Sequence, residues 1–108
     1  MAVVLCVIPL VESNINSGER TTHHKDTICV KMEYSRVPMA GEEIFIHNKM
    51  ERRFLDPKVE SVQHLPAGYI TQNNGVVDAE VKCTEYDCSG YLGGYEALKK
   101  EWAYMSCF

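Results

Sequence analysis

The sequence predicts an α+β fold in a single domain over residues 1–108: a strongly curved antiparallel sheet of about five strands, half-barrel or barrel-like, with an amphipathic helix at its C-terminal end. Three observations lead to it. Apolar and polar residues alternate with period two over residues 27–35 and again over 77–84, as in strands with one face on a core. Between them, Pro38, Gly41, Pro66, Gly68 and the Asn74-Gly75 pair punctuate short apolar runs. Past Gly94 the apolar period changes to that of a helix. With 108 residues, 45% of them apolar and 24% charged, the chain has material for one ordinary core and lies far from the composition of disordered chains.

Each element has its own justification. Residues 2–11, AVVLCVIPLV, are continuously apolar and largely β-branched, which suits a strand covered on both faces. The polar stretch 12–26, ESNINSGERTTHHKD, carries Asn, Ser and Gly and reads as a long loop. In TICVKMEYS, Ile28, Val30, Met32 and Tyr34 share one side while Lys31, Glu33 and Ser35 share the other. Pro38 lacks a ladder donor and Gly41 readily takes positive φ, so RVPMAGEE turns the chain before Ile44 and Ile46 start another strand. HNKMER is a polar turn and RFLD a short extended piece. In the following run Val59 and Val62 fall out of period-two register, which places a bulge or bend near Ser61, a device of curved sheets. Asn74-Gly75 is a hairpin-turn signal, after which Val77, Ala79, Val81 and Cys83 alternate with Asp78, Glu80, Lys82 and Thr84. Tyr95, Leu98, Trp102 and Met105 recur at i, i+3, i+7 and i+10 and form one stripe opposite Glu96, Lys99 and Lys100.

The order of a strand, VPMAGEEIFI, a short connection, VESVQHLP and the acidic alternating strand VVDAEVKCTEY resembles small β-rich proteins of phages and mobile gene cassettes, integron cassette proteins among them, over about residues 27–86. The resemblance implies a small, strongly bent antiparallel sheet or barrel and brings no shared activity with it.

Charge and cysteine usage narrow the function classes. Eleven Lys and Arg against fifteen Asp and Glu leave a formal charge of −4, which disfavours nucleic acid and anionic membranes as partners. The opening apolar run is too short to span a bilayer and has no leader pattern, so a cytoplasmic protein is expected. Five cysteines without framework spacing point to reduced thiols. Cys83 and Cys88 form one loose pair, with Cys107 or the His23-His24 pair as distant complements, which is a poor zinc signature; no metal or other cofactor is expected. No nucleophile, phosphate-loop or paired-carboxylate motif appears, and no catalytic residue is assigned.

Two groups of residues remain as candidates. His64 stands near the end of a bent strand, before Pro66 and Gly68, where a barrel would admit a small molecule; Tyr34, Arg53 and Tyr69 complete that candidate pocket. The helix stripe Tyr95, Leu98, Trp102 and Met105 is a candidate interface, divided between the chain's own sheet and a second copy in a homodimer. Lys49, Arg52 and Arg53 form a local basic cluster, and Asp78, Glu80, Glu85 and Asp87 an acidic surface of the kind an inhibitor uses. The expected function is a non-enzymatic binding or protein-interaction module, self-associating or bound to another protein, with a small-ligand barrel or minor enzyme at His64 as the alternative.

Overall fold

A computed structural model describes residues 1–16, 18–48, 50–71 and 75–102. The chain starts with two long antiparallel strands, β1 (Ala2–Asn16) and β2 (Glu19–Tyr34). A ribbon of β3 (Ile46–Asn48) and β4 (Arg53–Leu55) follows, then β5 (Val59–His64) and a small hairpin of β6 (Ile70–Thr71) and β7 (Gly75–Val76). The chain continues through β8 (Ala79–Cys83), β9 (Tyr86–Asp87) and a 3₁₀ turn (Cys88–Gly90) to α1 (Gly94–Trp102). Five strands make the main sheet, in the order β2-β1-β8-β5, with β9 also on β1.

The α+β class and the terminal helix agree with the sequence; two features of the predicted sheet do not. Strands β8 and β9 run parallel to β1, so the sheet is mixed rather than antiparallel. It also stays open: β2 and β5 are its two edges, with β1 and β8 between them, and no closed barrel forms among the described residues. The expected bulge is present, as the β5–β8 register slips between Val59 and Ser61. One bulge kinks a strand locally, and closing a barrel needs such bends repeated around the sheet.

The third correction concerns residues 12–26, expected as a long loop: the described ones are almost all strand. They continue β1 and β2 into a two-stranded arm, paired from Val11↔His24 to Asn16↔Glu19, and Gly18 near its tip has φ 81°. With this arm the molecule measures 51 Å along its longest axis. The root of the arm is fastened. Between Pro9↔Thr27 and Val11↔His24, β1 supplies one residue and β2 two, a bulge at Lys25 and Asp26. It presents the Asp26 carboxylate to the helix, where it accepts from the Tyr95 hydroxyl and lies 3.3 Å from Lys99 Nζ. On the other side Asp87 accepts from the Ser13 N–H and pairs with Arg20, both at 3.3 Å.

One face of the sheet carries the core. Val4, Cys6, Ile8 and Leu10 of β1 lie with Ile28 and Val30 of β2, Ala79, Val81 and Cys83 of β8, and Val59 of β5. Over them pack Ile44, Ile46 and Leu55 from the ribbon, Cys88 and Tyr91, and Leu98 and Trp102 from α1. Pro9 interrupts β1 at no cost to the ladder beside it, because it falls where β1 passes from β8, paired as far as Val7, to β9, paired from Leu10. The helix is locked at its C-terminal end by satisfied polar groups. The Trp102 indole N–H donates to the Tyr91 hydroxyl at 3.1 Å, and that hydroxyl donates to Glu101 at 2.5 Å. Arg53 reaches the same carboxylate at 3.6 Å, with its guanidinium over the Tyr91 ring.

Candidate functional site

The ribbon β3–β4 has two chemically different faces, and its register shows why. Ile46↔Leu55, His47↔Phe54 and Asn48↔Arg53 are partners, and the bridge Glu43↔Lys58 continues the same register. Ile44 therefore lies opposite Pro57, whose carbonyl accepts the Ile44 N–H at 3.0 Å, and Phe45 lies opposite Asp56. Alternation turns Ile44, Ile46, Asn48, Leu55 and Pro57 inward, and all five are buried. Phe45, His47, Phe54, Asp56 and Lys58 turn outward.

That outer face carries stacked aromatic rings. Phe45 is 53% and Phe54 56% exposed, and their ring centroids lie 5.1 Å apart at an interplanar angle of 28°. The His47 ring stands 5.7 Å from that of Phe45. The inner face holds this platform in place: Asn48, wholly buried, donates through Nδ2 to the Glu101 carbonyl at 2.8 Å and accepts the Glu51 N–H through Oδ1 at 3.2 Å. The rings thus sit on a strand pair clamped to the end of α1 and need little ordering to make a contact.

Beside Phe45 a recess of about 290 Å³ opens, lined among others by Tyr34, Arg36, Pro38, Glu42 and Glu43. Its frame is the Val-Pro-x-x-Gly-Glu segment. Gly41 turns the chain at φ 92°, its N–H donates to the Val59 carbonyl at 2.8 Å, and the Val59 N–H returns to the Glu42 carbonyl at 2.8 Å. The Glu42 carboxylate takes both guanidinium arms of Arg36, at 2.8 and 2.5 Å, and the Met39 N–H at 2.5 Å. Arg36, and then the Met39 N–H, hold the Glu42 carboxyl down at about 2. A carboxylate depressed in the folded state stabilises fully above its ordinary value of 4.5, and that contribution fades as pH falls through about 2. Thermal melts from pH 6 to pH 2 should therefore show wild type losing more stability than Glu42→Gln, the gap between them closing mainly below pH 4.5. Parallel curves over that range would show that the pair contributes nothing.

The four candidate pocket residues are placed apart. Tyr34, on the edge strand β2, lines the recess; its hydroxyl donates to the Phe45 carbonyl at 3.0 Å, and burial pushes the phenol up. His64 stands exposed on the opposite edge strand β5, across β1 and β8, at three strand spacings of about 4.8 Å each. Tyr69 is exposed in the turn that follows, and Arg53 is drawn inward to Glu101. The helix stripe faces its own sheet: Leu98 and Trp102 are wholly buried by the chain itself and Tyr95 is half-buried, while Met105 lies outside the described residues.

The remaining sequence signals are spent on structure. Cys83 and Cys88 are both buried, and burial pushes their thiols up to about 12 and about 11. His23 and His24 are exposed on the arm, the latter 4.0 Å from Glu85. Asp87 is taken up by the arm root and by Ser89, and Asp78 accepts the Val3 N–H at 2.7 Å. The basic cluster divides, since Arg53 turns inward while Arg52 sits exposed at φ 54° and Lys49 is outside the described residues. Sequence reasoning missed the platform, although a signal was present: in IFIH, Phe45 has the parity opposite to that of Ile44 and Ile46, an aromatic residue on the solvent side of a strand.

Among the described residues no helix is long and apolar enough to cross a membrane. No family model, curated protein or solved structure matches the chain.

Proposed function

We propose that the protein is a non-enzymatic protein-interaction module, of the accessory kind that mobile gene cassettes carry, and that the outer face of β3–β4 is its contact surface. The observation behind this reading is the stacked and half-exposed pair Phe45 and Phe54 on a ribbon held to α1 through Asn48. Each Å² of their apolar surface left in water forgoes roughly 25 cal/mol of burial energy. Aromatic residues are enriched where proteins meet, and a small apolar centre with a charged rim is the usual anatomy of such surfaces. Here Asp56, Lys58 and Glu43 supply the rim. The recess beside Phe45, with its Arg36–Glu42 pair already satisfied, suits one side chain of a bound polypeptide.

A peptide-display selection on the immobilised protein tests the assignment. Enriched peptides should lose binding to a Phe45→Ser/Phe54→Ser variant and keep it to His64→Gln. Because both phenylalanines are outward, the double variant should remain folded by circular dichroism. Selected peptides that bind this folded variant as well as wild type would overturn the reading.

A further inference from the structure

We infer that the partner seated on the outer face of β3–β4 is a second copy of the chain, packed face to face about a two-fold axis parallel to the ribbon. The inference rests on the reading of that face as a protein-binding surface and names its occupant. The argument is one of charge and register. Outward residues form two columns, Glu43, Phe45 and His47 on one strand and Lys58, Asp56 and Phe54 on the other, in the rows Glu43 with Lys58, Phe45 with Asp56, and His47 with Phe54. A two-fold axis along the ribbon keeps the rows and exchanges the columns. Glu43 of each copy then meets Lys58 of the other, and His47 of each copy meets Phe54 of the other. Phe45 of each copy then faces Asp56 of the other and adds its ring, stacked on its own Phe54, to the aromatic centre.

The two charges that this arrangement pairs are available. Neither Glu43 nor Lys58 makes a side-chain ion pair within the chain among the described residues. The competing arrangement, a two-fold axis across the ribbon through the Phe45 row, sets Asp56 against Asp56 and moves Lys58 off Glu43, so the sequence of charges selects the parallel axis. The face is small. Six rows spaced by about 3.4 Å extend under 20 Å, well short of the ~800 Å² per partner of a standard interface, so the dimer is weak and concentration-dependent.

Sedimentation equilibrium from about 10 μM to about 1 mM, bracketing the micromolar-to-millimolar range of weak pairs, reads the association directly. Wild type should dimerise across this range. Glu43→Lys and Lys58→Glu, each of which sets like charges together twice, should weaken association about tenfold or more at low salt. An equimolar mixture of these two variants should recover it. In the mixed dimer the lysine introduced in one variant meets the glutamate introduced in the other, and the unaltered Glu43 and Lys58 meet as in wild type, so both contacts are again of opposite sign. Phe54→Ser should abolish association. Wild type that sediments as a monomer throughout, or single variants whose mixture does not associate, would refute the second copy as occupant. If selected peptides still require Phe45 and Phe54 in that case, the interaction module stands and only the partner assigned here falls.

Discussion

Trp102→Ala should lower the melting temperature by about 15–30 °C. The indole is wholly buried between the sheet and the turn at Tyr91, and truncating a buried Trp costs about 3–5 kcal/mol because the transfer energy is lost and a cavity remains. For a domain near 100 residues each kcal/mol moves the midpoint by roughly 4–8 °C. The hydrogen bond to Tyr91 is a smaller part: Trp102→Phe, which keeps an aromatic ring and loses the N–H, should cost about 1–2 kcal/mol. Trp102→Glu should leave no folded protein, since a carboxylate at a site with no solvent access loses its hydration and gains nothing comparable from the apolar side chains around it. Differential scanning calorimetry decides the series. A Trp102→Ala protein that melts within a few degrees of wild type would show that the stripe contributes little to the intramolecular core.

The second large effect is expected at the chain reversal before the helix. Gly93 has φ 91° and Gly94 φ 71°, and the Gly94 N–H donates to the Tyr91 carbonyl at 2.8 Å. A Cβ on Gly93 would lie 2.6 Å from the Ala97 Cβ, whereas one on Gly94 would meet open space. Gly93→Val combines left-handed strain with a clash against a helix that cannot move without dragging Leu98 and Trp102 out of the core. It should cost about 2–4 kcal/mol. Gly94→Ala carries the strain alone and should cost about 1 kcal/mol. Gly90→Ala, at ordinary φ and with open space, should be nearly neutral. Urea denaturation followed by the emission of the single tryptophan should return that order. Equal losses at all three positions would mean that neither strain nor the Ala97 contact governs the turn.

The platform and the arm show where reading from sequence stops. Hydrophobic alternation records burial of one face, and so β8 and the inner half of β2 are legible from Val81 or Val30 and their neighbours. From Glu19 to Lys25 the arm has water on both faces. Thr21, Thr22, His23 and His24 therefore carry no period, and a paired polar ribbon looks the same as a loop. The parity of Phe45 was legible, but its stacking on Phe54 depends on the register of β3 with β4, and no pattern in either strand states that register. His64 would line a pocket only at the mouth of a closed barrel. An open sheet leaves it on an edge.

The sequence by itself determined the types and inward residues of most elements: the alternating strands, the bulge near Ser61, the turn at Gly41, and the helix from Gly94 with Leu98 and Trp102 on its buried side. These follow from neighbours a few residues apart, whose geometry is set by strand and helix periods and by the φ that glycine permits. Tertiary structure alone decided which strands meet, that β8 runs parallel to β1, that Asp26 and Asp87 brace an arm, and that Phe45, His47 and Phe54 are left together in solvent. Each of these is a pairing across distant parts of the chain. It is settled by which faces can be buried at once, a property of the whole core that no local window contains.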